Sequence, residues 1–330
     1  MKKLIVTAIV VTGMSLILFI FDIDRFDCKA FRSLSPLSKN NKHNSKTNLT
    51  YGIKVSSLQE NVYETRKKEM LRNCHQEQGH DSNFSSISEE TLRRLIVDDK
   101  YKIIYCPIHK IATTNWRRLF LFLAGKLNSN QILTANNIHR KLSLKFLKTL
   151  STNTREEASR KLSNYLTVII VRDPIDRLMS AFRDKFHQNY TGTDAAFKKY
   201  AKTILNQFRP NATRKDLTTL NDLRFGEFVK YLLSTPHQFN MHWEMYHKLC
   251  QPCAIAYDVI GKFETMSQDV SYVLKKIGLN ISFPEKYHQK EHIPDYFRGT
   301  SQTDLKEIGE LYALDYKLFG YKFHIPDDIK

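Results

Sequence analysis

The first patterned stretch of the chain, Leu4 to Phe21, is LIVTAIVVTGMSLILFIF, apolar and uncharged, with Lys2 and Lys3 before it. As a helix it would rise about 27 Å, close to the hydrocarbon thickness of a thin bilayer, which predicts a transmembrane helix over 4–21. From 22 to 88 the chain is polar without a sustained apolar period. KNNKHNSKTN has the composition of a flexible stem, and Leu58 to Leu71 suits a short charged helix. The pattern changes near Glu89. Ile103 to Ile108 is an apolar, β-branched run that predicts a buried strand. After HKIATT, Trp116, Leu119, Phe120 and Leu123 recur at helical spacing, and Gly125 ends the helix. Thr167 to Val171 predicts a second strand. Ile175, Leu178, Met179 and Phe182 predict the helix after it, with Asp173 as N-cap and Pro174 in its first turn. Tyr257 to Phe263 and Met266 to Ile277 repeat the strand-then-helix order. The alternation predicts an α/β class, a parallel sheet flanked by helices, in a domain spanning 89–330.

Charge and topology narrow the setting. Lys plus Arg number 51 against 34 Asp plus Glu, a net charge of +17. Such an excess calls for an acidic partner: nucleic acid, anionic lipid, a phosphorylated cofactor or a polyanionic glycan. Lysines at 2 and 3, against Asp22, Asp24 and Asp27 on the far side, put residues 1–3 in the cytosol and the body in the lumen. FDIDRFD follows the apolar run without the small residues of a cleavage site, so the expected segment is an uncleaved anchor. Sequons stand at Asn48, Asn83, Asn189, Asn211 and Asn280. Cys28 can cross-link two chains into a homodimer. Cys74, Cys106, Cys250 and Cys253 can form two disulfides in an oxidising lumen, by three pairings.

Two turns carry chemistry. The first, Cys106-Pro-Ile-His-Lys-Ile-Ala-Thr-Thr-Asn-Trp116, leads from strand to helix. Such a turn aims free N–H groups and the positive end of the helix at whatever lies above it. Lys110 adds a mobile charge, and Thr113 and Thr114 add hydroxyls. No glycine lies between Cys106 and Ala124, which excludes the Walker pattern of an ATPase. The second, Val-Arg172-Asp-Pro-Ile-Asp-Arg-Leu-Met-Ser180, also leaves a strand and opens a helix. Arg172 can fork onto a phosphate, and Ser180 can donate a hydroxyl. A capping aspartate and an Asp173–Arg177 helical pair would explain that turn alone, but not two anion-ready turns in one chain.

The pair resembles the 5′-phosphosulfate loop and 3′-phosphate motif of sulfotransferases that use 3′-phosphoadenosine 5′-phosphosulfate (PAPS). The variant is similar to Golgi carbohydrate sulfotransferases acting on chondroitin, dermatan and HNK-1-type glycans. The likeness runs from about Leu92 to Tyr321. It includes LIVDDKYKIIYC, the lysine loop, RDPIDRLMSAFRDKF, HW at 242–243, LCQPC, YDVIGKFE and LDYKLFGY. It implies a P-loop-like PAPS-dependent fold and a single-pass type II protein of the Golgi membrane. The implied reaction is sulfuryl transfer to a glycan hydroxyl, such as the 4-O of N-acetylgalactosamine in chondroitin, without a metal. His109, Lys110, Ile111, Ala112, Thr113, Thr114 and Asn115 would hold the phosphosulfate. Arg172, Asp173, Arg177 and Ser180 would hold the 3′-phosphate. His109 stands where the family usually has proline, Thr113 where it often has cysteine, and Asp173 where it often has glutamate.

The acceptor hydroxyl needs a base, and histidine suits that task. His139, in NIHRKLSLKFLKTL, and His242, beside Glu244, are the two candidates, with Lys110 assisting the leaving phosphate. His247-x-x-Cys250-x-x-Cys253 lacks a fourth zinc ligand at convincing spacing. With the body in the lumen, the basic surface suits a polyanionic or neutral glycan rather than nucleic acid. Two rival classes stay open: a catalytically inactive glycan-binding relative, and a lumenal glycosyltransferase. The second usually carries an acidic D-x-D, for which Asp98-Asp99 is the nearest match.

Overall fold

The computed structural model describes residues 7–12, 15–20, 45–78, 84–186, 195–220, 222–283, 297 and 299–325. Residues 1–43 form one unit and 44–330 another. In the first, β1 (Thr7–Thr12) and β2 (Ser15–Ile20) pair antiparallel, Thr7 opposite Ile20 and Thr12 opposite Ser15. This corrects the helix expected over 4–21. Among the described residues, no helix is long and apolar enough to cross a membrane. The reason lies in the side chains: Thr7, Ile9, Val10, Val11 and Thr12 are β-branched, a composition that fits extended backbone better than helix. Cys28, Asn83 and Asn189 fall outside the described residues.

The larger unit opens with α1 (Ser45–Gln78) and α2 (Glu89–Arg94). β3 (Ile96–Asp98) and β4 (Ile103–Cys106) follow, then α3 (Thr113–Leu123) and, after a π-helical turn at Ile138–Leu142, α4 (Ser143–Phe146). β5 (Lys148–Thr149), α5 (Arg155–Asn164), β6 (Leu166–Val171) and α6 (Pro174–Phe186) come next. α7 (Ala195–Phe208), α8 (Arg214–Thr219), α9 (Phe225–Ser234), α10 (Tyr246–Cys250) and α11 (Pro252–Ile255) precede β7 (Val259–Lys262) and α12 (Met266–Lys276). Helices Gln302–Leu311 and Ala313–Leu318 follow.

The sheet order is β5-β3-β4-β6-β7. β4, β6 and β7 are parallel, with Cys106 opposite Ile169 and Val168 opposite Val259. β3 is antiparallel to both β4 and β5, so the sheet is mixed rather than wholly parallel. The cause is a short hairpin: Asp98 Oδ1 accepts the Tyr101 N–H at 2.9 Å, which turns the chain straight back from β3 into β4. The central strands are continuous apolar runs because both faces are covered: β4 is buried throughout and β6 over Thr167–Val171.

The packed body also reaches into residues read from sequence as stem. Tyr63, Met70 and Cys74 of α1 belong to the main core, and a disulfide joins Cys74 to Cys253. Asp269, 2% exposed, organises that contact. It accepts from Tyr63 at 2.7 Å, from Arg66 at 3.2 Å and from the Lys262 N–H at 2.6 Å. The approach is close enough to require Gly261, where a Cβ would stand 2.5 Å from Ile170 Cδ1 and 3.2 Å from Asp269 Cβ. A second core gathers Phe182, Phe186, Phe228 and Trp243 around α6, α7 and α9. It packs α6 against α7 and α9.

Candidate active site

Parallel neighbours β4 and β6 end at one edge of the sheet, so the loops leaving Cys106 and Val171 emerge side by side, where α/β sheets bind ligands. The first loop is built to keep its N–H groups available. Lys110 (φ 72°) and Ala112 (φ 49°) adopt the left-handed region, a costly choice for residues with a Cβ. No side chain caps the N-terminus of α3 at Ala112. Left-handed residues beside an uncapped helix start make a concave set of donors suited to an anion. A disulfide from Cys106 to Cys250 anchors the loop's base.

The expected loop residues divide into two groups. His109, Lys110, Ala112 and Thr114 are partly exposed. Ile111 is a fully buried core residue. The Thr113 hydroxyl donates to the Ile108 carbonyl, and Asn115 accepts from Arg118 at 3.1 Å. Ile111, Thr113 and Asn115 therefore shape the turn from inside and are not placed to touch a ligand with their side chains. The first-turn threonine facing outward is Thr114, whose hydroxyl lies 2.7 Å from His139 Nε2.

The second motif meets the first. Arg177, 1% exposed, donates to the carbonyls of His109 at 3.1 Å, Glu244 at 2.7 Å and Met241 at 3.2 Å, with its guanidinium over the Tyr246 ring. It was expected to contact phosphate; its donors are instead spent on carbonyls, because a buried guanidinium must be satisfied by what surrounds it. Arg177 is thus a strut joining the two loops. Lys110 Nζ reaches Asp184 of α6 at 3.3 Å, and Lys185 Nζ reaches the same carboxylate oxygen at 3.1 Å. Burial lowers the Lys110 pKa, while Asp184 opposes the shift. Burial also works against ionisation of Asp184, but Lys110 and Lys185 outweigh it and hold that carboxyl below its ordinary value.

Arg172 differs from Arg177. It is half-buried at the end of β6, with its guanidinium 4.6 Å from the Phe263 ring centroid. Its Nε is buried without a partner, and it forms no ion pair among the described residues. That arginine has donors to offer. Asp173 Oδ1 accepts the Ile175 and Asp176 N–H groups at 2.9 and 3.2 Å, which makes it the helix cap the sequence predicts. Burial raises its pKa to about 6. Asp173 therefore orders α6 rather than binding an anion. Ser180, one turn before Asp184, is partly exposed.

Both candidate bases stand at the first loop. His109 packs edge-on against His242 at 4.4 Å between ring centroids and lies 6.4 Å from His139. His242 Nδ1 is 2.6 Å from Asn240 Oδ1. Burial, aided by Arg117 and Arg118, lowers the His139 pKa, which favours the neutral, proton-accepting form. Sequence reasoning missed Asp184, although RDKF places it four residues beyond Ser180, one helical turn along α6.

A sequence profile of the Sulfotransferase family matches residues 93–322, most of the larger unit. The chain belongs to the sulfotransferase family. Carbohydrate sulfotransferase 11 of Rattus norvegicus is 32% identical over 282 residues, covering 82% of this chain and 78% of the relative. Carbohydrate sulfotransferase 9 of Homo sapiens is 33% identical over 268 residues, covering 78% and 59%. Carbohydrate sulfotransferase 14 of Danio rerio is 35% identical over 248 residues, covering 72% and 65%. No solved structure matches the chain significantly.

Other motifs of this sulfotransferase family member have structural partners. Trp243 is fully buried, and its carbonyl accepts from Tyr312. Asp315 of LDYKLFGY is fully buried and accepts the Tyr246 and His247 N–H groups at 2.6 and 3.0 Å, fixing α10 and hence the Cys106–Cys250 link. His247 Nδ1 is 2.8 Å from Asp315, and both cysteines of His247-x-x-Cys250-x-x-Cys253 are in disulfides, so that set is committed elsewhere. Asp99 is paired with Lys161 at 2.6 Å at the β3–β4 turn, which leaves Asp98-Asp99 as hairpin chemistry rather than a D-x-D site.

The histidine cluster sets a pH dependence of stability. Burial first, then neighbouring positive groups, pushes His109 down to about 2 and His242 down to about 3. Both stay neutral in the fold but take up protons when unfolded, near pH 6.5. The stability they contribute is full above that value and declines as pH falls below it. The limiting slope is about 1.4 kcal/mol per pH unit for each histidine. Melting temperature should therefore drop steeply from pH 6.5 to pH 5. In His109→Phe, which keeps the bulk without the titration, the dependence should be visibly shallower; an unchanged profile would remove His109 as its source.

Proposed function

We propose that this chain transfers a sulfuryl group from PAPS to a hydroxyl of a glycan, with N-acetylgalactosamine 4-O in chondroitin or a related acceptor as the leading target. The observation that carries this reading is the meeting of the two anion-ready loops. Arg177 grips the His109 carbonyl, and Lys110 reaches Asp184 of α6, the helix that the second motif opens. A donor with phosphates at both its 3′ and 5′ positions fits two such turns; ordinary adenine nucleotides would use one. The carbohydrate sulfotransferases to which the chain is similar support a glycan as acceptor.

In this scheme the chain's own groups align and stabilise. The uncapped start of α3 and Lys110 hold the phosphosulfate and offset charge on the departing 5′-phosphate. Arg172 and Ser180 hold the 3′-phosphate. His139, oriented by Thr114, takes the proton of the acceptor hydroxyl, and His242 shapes the acceptor side. Sulfuryl transfer of this kind needs positioning, charge stabilisation and a base, without a metal.

The same reading places the protein in the Golgi membrane as a single-pass type II protein with its body in the lumen. The apolar run at 4–21 supports this. Exposed sequons at Asn211 and Asn280 and the two disulfides fit an oxidising, glycosylating compartment. Cys28 offers a link between copies.

Arg172 supplies the test of the donor. Its replacement by Ala removes a charge-assisted partner of the 3′-phosphate, so affinity for adenosine 3′,5′-bisphosphate should fall about tenfold or more by calorimetry. Affinity for adenosine 5′-phosphate should change little. Equal losses for both nucleotides would show that Arg172 supports the fold or the 5′ loop instead.

A further inference from the structure

A cavity of about 300 Å³ opens beside the candidate base, bordered by Thr114 and Arg118 of α3 and by Asn136, Asn137 and His139 of the following loop. Its walls contain no carboxylate. Arg118 is nevertheless 8% exposed, has no ion pair among the described residues, and keeps a buried Nε without a partner. Its remaining contacts are modest: one Nη donates to Asn115 at 3.1 Å, the other to the Ala135 carbonyl at 3.4 Å. Arg177 shows the contrast, since its guanidinium spends Nε and both Nη groups on carbonyls. A desolvated cation without a counter-ion is costly, and an incoming anion relieves that cost.

We propose that this cavity is the subsite for an acidic sugar of the acceptor glycan, with Arg118 as the residue that recognises its charge. The inference rests on the sulfotransfer reading above and specifies the acceptor. Asn136 and Asn137 supply amide donors and acceptors for ring hydroxyls. An oxyanion held by Arg118 places the neighbouring sugar hydroxyl next to His139, whose Nε2 is already oriented by Thr114. The recognised group is an oxyanion, either a uronate carboxylate or an ester sulfate.

Three acceptors of one backbone separate those sources: desulfated chondroitin, the same polymer with its carboxylates reduced to alcohols, and the reduced polymer carrying ester sulfates. For the wild-type protein, kcat/KM on one or both acidic polymers should exceed that on the neutral one by about tenfold or more. In Arg118→Gln the ratio should collapse towards one while affinity for adenosine 3′,5′-bisphosphate is kept; Arg118→Lys should retain part of the preference. Equal kcat/KM on all three acceptors by the wild-type protein would overturn the inference, and that comparison requires no variant to fold. An acidic preference that survives intact in a folded Arg118→Gln protein would overturn the role of Arg118. Failure to sulfate any acceptor would sink the sulfotransfer reading and this inference together, whereas equal transfer to all three sinks the inference alone.

Discussion

Lys110→Ala is expected to lower kcat by about 10²–10³, the effect of removing one preorganised donor from a charge that develops in the transition state. Lys110 sits on a left-handed residue of the first loop, with its ammonium held 3.3 Å from Asp184. The ion pair aims the ammonium in the absence of a donor, and part of that attraction is given up when a phosphosulfate arrives. Loss of Lys110 does not strand Asp184, because Lys185 contacts the same carboxylate oxygen at 3.1 Å. The fold should therefore survive. Affinity for adenosine 3′,5′-bisphosphate, which lacks the sulfate, should fall much less than kcat. Steady-state rates with a saturating acceptor check this, and a turnover number within twofold of wild type would take Lys110 out of the chemistry.

The second large effect belongs to His139→Ala, expected to lower kcat by about 10²–10⁴ with donor affinity nearly intact. The folded environment lowers the pKa of His139, so the imidazole is neutral and able to accept a proton at near-neutral pH. Activity should fall as pH drops through that lowered value, and the acidic limb should vanish in the variant. His242→Ala should instead raise the acceptor KM, since His242 is hydrogen-bonded to Asn240 and stacked edge-on against His109 rather than held at Thr114. Wild-type melting temperatures are the control for both variants. A stable His139→Ala protein with unchanged turnover and an intact acidic limb would transfer the base to His242 or Glu244.

Local pattern carried the fold furthest where a run of residues has one job. β4 and β6 are uninterrupted apolar stretches, and the Asp173-Pro174 start of α6 is set by capping within a few residues. The sequence pattern was less informative where tertiary contacts decide. α1 shows no sustained apolar period because the face that buries Tyr63, Met70 and Cys74 also carries Arg66, Lys67 and Asn73, which find their partners in the folded body; that stripe has no clear apolar signature before those partners are known. β3 is three residues long, too short for alternation to show, so the antiparallel edge of the sheet was missed.

The site follows the same division. The anion-ready form of both turns is legible in strand-to-helix punctuation and a few charged residues. Which arginine is free is not: Arg172 and Arg177 are five positions apart, yet one keeps an unpartnered Nε and the other is buried on three carbonyls. The difference depends on residues 109, 241 and 244, far away in the chain. Asp184 was overlooked for a similar reason, since its partner Lys110 lies in the other motif.

The central claim is sulfuryl transfer from PAPS to a glycan hydroxyl, and the most direct measurement incubates the purified chain with sulfate-labelled PAPS and a panel of desulfated glycosaminoglycans. Disaccharide analysis then locates the label. Label is expected on a sugar hydroxyl, with adenosine 3′,5′-bisphosphate released in equal amount and transfer lost in Lys110→Ala. Donor bound at its site with no label passed to any glycan, by a protein with wild-type stability, would contradict it and leave the inactive glycan-binding relative as the better description.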